Sequence, residues 1–258
     1  MNERHPHLAE FRIYAELKDF LGRRRADGRV AYRFSGRPAV KDAVEALGIP
    51  HTEVDLLLVN GEPVAFGHGL KHGDRVAVFP VFEGLDISPV NRLRPRPLRT
   101  TRFVLDVHLG KLARLLRLLG FDAHYENDAD DDRIRGLAAD EGRIILTRDR
   151  GLLKHAGVTH GYCVRSADPR VQAAEVLQRF DLRGAAAPFS RCPACNGTVA
   201  PVDKAEVAHR LPGRTRRCFH RFTRCTACGK VYWKGSHHRA LDGLVRELLG
   251  GAGRVSRR

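Results

Sequence analysis

The sequence predicts a multidomain chain: an α+β domain, then an α/β domain with a mainly parallel sheet, then a small cysteine-rich module. Three observations carry this. The first third reads as strand, strand, helix and three more strands. From residue 101 strands and helices alternate, as in a parallel sheet covered by helices. After residue 189 the chain becomes arginine-rich, with the pairs Cys192-Pro-Ala-Cys195 and Cys225-Thr-Ala-Cys228. At 258 residues there is material for two or three cores.

In the first domain, residues 1–87, "FRIYAEL" alternates and reads as a strand, with "RVAYRFSG" as its partner. In "RPAVKDAVEALG", Pro38 suits a first helical turn, Val40, Val44 and Leu47 share a face, and Gly48 closes the helix. "VDLLLVNGEPVAF" is a hairpin turning at Asn60-Gly61, and "DRVAVFPVF" is a last strand. This order is that of a β-grasp. "VNGEPV" followed by "GDRVAVFPVFEG" resembles the small ubiquitin-like sulfur carriers of cofactor biosynthesis. Those proteins end in a free Gly-Gly carboxylate, whereas this chain runs on past Gly84. An adaptor role toward a protein partner is therefore expected of the domain in place of sulfur carriage.

Residues 88–100 form a basic linker; "ISPVNRLRPRPLRT" carries three prolines and four arginines. The second domain, residues 101–188, opens with the strand "RFVLD" and the helix "VHLGKLARLLRLLG", where Leu109, Leu112, Leu116 and Leu119 make the buried arc. It continues through strand "FDAHY", helix "DDDRIRGLAADEG", strands "RIILT" and "GYCVRS", and a helix capped by Asp168 with Pro169 at its first position. Cys163 reads as a buried strand residue. The cysteine module covers 189–240, and 241–258 reads as a basic tail.

The net charge of +15 favours a polyanionic partner, nucleic acid before a membrane surface. No apolar run is long enough to span a bilayer, and "MNERHPHLAEF" lacks a signal-peptide core, so a cytoplasmic location is expected.

Acidic residues fall where α/β sheets build their sites, at the carboxyl ends of strands. Asp106 follows "RFVL", Asp149 follows "RIIL" by two residues, and Asp130, Asp131 and Asp132 open a helix. Converging carboxylates repel unless a cation sits among them. Mg²⁺ or Mn²⁺ accepts such oxygen ligands and activates water against a phosphodiester. Each acid also has a plain structural alternative: Asp106 as a cap of the helix after it, Asp131 or Asp130 as a cap of its own helix, Asp149 as an ion-pair partner of Arg148 or Arg150.

The two cysteine pairs have the spacing of zinc knuckles. Four thiolates close the coordination shell, so the expected zinc is structural. Cys218 is a spare at poorer spacing.

"FVLDVHLGKLARLLRLLGFDAHY", the acidic helix start, "GRIILTRDRGLL", "RCPACNGTV" and "CTACGKVYWKGSHH", in this order, closely resemble the Mut-seven C-terminal RNase family. The resemblance implies a PIN-like nuclease domain fused to a zinc ribbon, with an N-terminal ubiquitin-like domain in a subset of members. It places the first acid on Asp106, the "T-R-D" acid on Asp149, and the helix acid on Asp131 before Ile134, with Asp130 and Asp132 directly beside it. A fourth acid common in PIN domains is not evident; Asp168 is the candidate, and capping its helix is its simpler task. The implied activity is metal-dependent hydrolysis of RNA, leaving 5′-phosphate and 3′-hydroxyl ends.

Cations surround these positions. Lys111, Arg114 and Arg117 step along the helix after Asp106, and Arg148 and Arg150 flank Asp149. Around the cysteines, Arg221, Trp233, Lys234 and His237 are the candidate RNA contacts, while Trp233, Phe219 and Tyr232 also suit a small apolar core. The expected reading is an Mg²⁺- or Mn²⁺-dependent ribonuclease with structural zinc. The alternative is a non-catalytic RNA-binding or ribosome-associated protein whose acids are structural.

Overall fold

The computed structural model describes residues 7–22, 27–80, 92–93 and 101–250. Most of the expected linker, and residues 251–258 of the expected tail, lie outside these. In chain order the elements are β1 (His7–Ile13), β2 (Arg29–Phe34), α1 (Val40–Ala46), β3 (Leu56–Val59), β4 (Glu62–Pro63), β5 (Arg75–Phe79), β6 (Arg102–Leu105), α2 (Gly110–Leu118), β7 (Asp122–Tyr125), α3 (Asp131–Glu141), β8 (Ile144–Thr147), α4 (Arg150–Lys154), β9 (Gly161–Cys163), α5 (Pro169–Arg179), β10 (Val199–Val202), α6 (Lys204–Val207), α7 (Gly213–Cys218), β11 (Phe222–Cys225), β12 (Val231–Trp233) and α8 (Ser236–Gly250). They fall into two compact units. One holds the described residues before Thr101 together with Asp131–Cys163; the other holds Thr101–Asp130 and the described residues from Val164 on.

In the first unit, five strands form a sheet in the order β2-β1-β5-β3-β4, with β1 parallel to β5 and the other pairs antiparallel. This is the expected β-grasp. Alternation on β1 sends Ala9, Phe11 and Ile13 into the core, each 1% exposed. Asn60 (φ 52°) and Gly61 (φ 93°) take the left-handed pair of conformations that a tight hairpin requires, joining Val59 to Glu62. Helix α1 begins two residues after Pro38, buries Val40, Ala43 and Val44, and ends at Gly48, whose φ of 96° suits glycine. The same unit contains α3, β8, α4 and β9. Strands β8 and β9 are parallel, pairing Ile145 with Gly161 and Thr147 with Cys163. All four residues of β8 are buried, as a strand covered on both faces should be.

In the second unit β6 and β7 are parallel, and α2 packs on β7 and on α5. Leu109, Leu112, Leu116 and Leu119 are at most 1% exposed, so the expected arc is the helix's core face. Asp168 caps α5 by accepting from the N–H groups of Arg170 and Val171. Strands β10, β11 and β12 make an antiparallel sheet around a small core of Val207, Leu211 and Phe222.

One expectation changes here. The segment from 241 is not a simple tail: through Gly250 it belongs to α8, which packs against α5. Leu241, Val245 and Leu248 recur at helical spacing, and the last two are buried. Between the knuckles the chain forms helices α6 and α7 as well as strands.

Candidate active site and metal centre

The four knuckle cysteines converge. Their sulfurs all lie within 4.8 Å of one another, and no other group of three or more His, Cys, Asp or Glu ligand atoms among the described residues does so. Cys192 and Cys228 are 3.7 Å apart, Cys195 and Cys225 3.5 Å. Tetrahedral zinc with bonds of about 2.3 Å sets its sulfurs about 3.8 Å apart, so the set fits that ion. Gly197 permits the closeness, since a Cβ there would stand 2.9 Å from the Cys225 sulfur. The Tyr232 hydroxyl and Cys192 Sγ share a hydrogen bond at 2.9 Å. Burial raises the Cys192 thiol, but this bond and neighbouring N–H groups outweigh it and bring it down to about 6. Cys195, an exposed residue whose thiol is locally desolvated, is pushed up to about 12, first by that desolvation and then by its bonds to the other sulfurs, against the Gly197 main chain. Each knuckle offers one buried cysteine, Cys192 or Cys225, and one exposed, Cys195 or Cys228.

The first knuckle is fastened to strand β7. Asn196, at φ 70°, accepts from the Ala123 N–H and donates to Asp122 at 2.8 Å. Arg191 reaches Asp122 and the Asn196 carbonyl. Arg117 corrects its expected RNA contact. It is 4% exposed and gives its guanidinium N–H groups to the carbonyls of Ala123, Pro193 and Ala194. Burial lowers its pKa, opposed by the charges of Cys195 and Cys192. The three-residue stepping of Lys111, Arg114 and Arg117 masked this, because the third step turns inward.

Each acid sits where its strand or helix was expected to place it. Asp106 follows β6 and is 7% exposed, without a side-chain bond to the helical turn after it. Asp131 is the first residue of α3 and is exposed. Its neighbour Asp132 pairs with Arg135 in the same helix. Asp149, also exposed, caps α4: Oδ1 accepts from the Gly151 N–H at 2.7 Å, and its own N–H donates to Thr147. The structural task seen for Asp149 is this cap, in place of the alternative of an ion pair with Arg148 or Arg150.

Lys111, Arg114, Arg148, Arg221, Lys234 and His237 are exposed. Arg150 is exposed too, and its guanidinium lies over the Phe20 ring, 4.9 Å from its centroid. Trp233 corrects the other way. It is half-buried and packs, with Phe219, on the small core around Phe222. A three-stranded module this small needs the ring as a wall.

The model of the Mut7-C RNAse domain matches residues 101–245, and that of the Mut7-C ubiquitin matches residues 7–86. A human protein named "Exonuclease mut-7 homolog" is 42% identical over 106 residues, which are 39% of this chain and 12% of that protein. The chain thus spans about an eighth of that relative's length. Two solved structures of small archaeal modifier protein 1 from Haloferax volcanii are 26% identical. They cover 30% and 29% of this chain, and 98% and 97% of their own, with TM-scores of 0.25 and 0.24. With more than half of its residues inside the first of these domain models, the chain belongs to the Mut7-C RNase family.

Proposed function

We propose that this protein is a ribonuclease that uses a divalent ion, Mg²⁺ or Mn²⁺, held by Asp106, Asp131 and Asp149. The observation that carries the reading is the match of residues 101–245 to a nuclease domain whose acids fall at a strand end and two helix starts. Carboxylate oxygens suit a hard cation. Such an ion supplies Lewis acidity and an activated water. The chain's own part is electrostatic and positional. The carboxylates fix the ion, and Lys111, Arg114, Arg148 and Arg150 hold phosphates beside it, positioning the backbone without reading sequence. Arg221, Lys234 and His237 extend the basic surface on the cysteine module, which zinc completes as a structural ion. RNA is the substrate in this reading, and the family's domain description supports it.

Cleavage of mixed RNAs with Mn²⁺ or EDTA tests the proposal. Asp149→Asn is the informative variant, because asparagine keeps the capping oxygen but not the charge. Activity should fall at least about a hundredfold, the scale of losing one electrostatic partner at the reacting centre. Metal-independent cleavage, or full activity in the variant, sinks the assignment. A second reading draws on the bond from Asp149 to Gly151, which gives that acid a structural task. It makes the protein a non-catalytic RNA binder, expected to retain RNA in EDTA and leave it intact in Mn²⁺.

A further inference from the structure

We propose that the ubiquitin-like domain is a built-in positioning element for Asp149, gripping the segment from α4 to β9 through a buried polar interface. The inference rests on the nuclease reading above and assigns that domain an internal task.

Four contacts join the N-terminal domain to residues 150–163, all inside one compact unit. Phe20 lies under the Arg150 guanidinium. The Glu45 carbonyl accepts from Lys154 Nζ at 2.7 Å. His51 Nε2 meets the Val158 carbonyl at 2.7 Å, while Nδ1 meets Glu45 Oε1 at 2.6 Å. Glu53 Oε1 accepts from the N–H of Cys163, the last residue of β9. The short helical turn carrying these groups is sealed: His51 is 6% exposed, Thr52 1% and Glu53 1%.

Burying a carboxylate and an imidazole is costly unless specific partners meet them. A domain that merely swung on a linker would have no reason to place them here. His51 Nε2 and the Glu53 carboxylate meet main-chain groups of the other domain, which fixes register as well as adhesion, while Glu45 holds the far side of the His51 ring. The gripped segment starts one residue after Asp149, whose side chain caps α4. Holding both ends of Arg150–Cys163 therefore limits where the Asp149 carboxylate can point. Misplacing such a group costs rate more than substrate affinity. The gripping residues are positioning residues, because none of them needs to touch substrate.

The test uses the full chain with Glu53→Ala, its conservative counterpart Glu53→Gln, and Lys154→Met, which removes a bond at the interface rim. Amide hydrogen exchange over residues 150–163 should quicken about tenfold in Glu53→Ala, the scale of one buried charged hydrogen bond. Exchange over β10–β12 and bound zinc should not change. In Mn²⁺, kcat should drop about tenfold with KM for RNA within about twofold. Glu53→Gln should recover most of both effects, and Lys154→Met should show them in weaker form. If Glu53→Ala fails to fold, Lys154→Met decides. Unchanged exchange in 150–163, or a raised KM with kcat intact, overturns the proposal. If the wild type cleaves nothing, the nuclease reading and the catalytic half of this proposal fall together. The exchange arm still decides whether the domain holds the segment.

Discussion

Arg117 donates a hydrogen bond to the main-chain oxygen of Ala194, a residue enclosed between the two cysteines of the first knuckle. The same guanidinium bonds Pro193 on the knuckle and Ala123 on β7. One side chain of α2 thus ties a helix, a strand and a metal loop. Replacing it with Leu takes the donor from three carbonyls, that of Ala123 in a buried bond and those of Pro193 and Ala194 in part-buried ones. The cost should be about 2–4 kcal/mol, read by chemical denaturation, with weaker zinc retention against a competing chelator. Arg114→Leu, at an exposed position on the same helix, should leave both unchanged.

Asp168 is a structural acid. It accepts from the N–H groups of Arg170 at 2.8 Å and Val171 at 3.2 Å, which uses it as a helix cap. Asp168→Ala should cost about 1 kcal/mol, visible as a lower melting temperature, with cleavage per folded molecule unchanged. A large loss of activity at full stability would instead make Asp168 the fourth acid of the site.

His51 makes stability depend on pH. Burial holds its pKa below the ordinary value of 6.5, against the opposing pull of Val158 and Glu45; Lys41 adds to the lowering. A lowered folded value means that the unfolded chain takes up the proton first as pH falls. The stability His51 contributes is full above about 6.5 and is lost as pH drops through the folded pKa. Denaturation of wild type and His51→Gln at pH 7.5 and at pH 5.5 checks this: the gap between the two proteins should narrow at the lower pH.

Gly120 ends α2 at φ 95°, and a Cβ there would stand 2.2 Å from the Ala187 carbonyl oxygen. Gly120→Ala forces both a left-handed backbone and a clash with main chain that cannot rotate away. We expect a loss of about 2–4 kcal/mol, measured as a shift in the denaturation midpoint.

Periodic features were legible in the sequence. The leucine arc of α2, the Asn60-Gly61 hairpin, the alternation of β1 and the cap at Asp168 each follow from local rules, and all appear in the fold. The cysteine knuckles were legible because a metal site leaves a fixed spacing. What stayed hidden depends on where distant segments meet. Arg117 looks like any surface cation until the knuckle is laid beside it. Asn196 looks like a loop residue, although its place after the second cysteine is a natural one for a left-handed turn. The His51–Glu53 turn shows no pattern at all, because its partners lie more than a hundred positions later. Helix α8 was legible in the spacing of Leu241, Val245 and Leu248, but the basic residues beyond it drew that stretch into a tail.

The alternation of buried and exposed cysteines has a kinetic meaning. Cys192 and Cys225 are buried residues while Cys195 and Cys228 are exposed, so an outside thiol or chelator should meet the exposed two first. A metal held by the four would be captured and released by ligand exchange beginning at Cys195 and Cys228. Oxidants arrive by the same door, so damage to the centre should begin with loss of those two thiolates while the loop docked on β7 still stands.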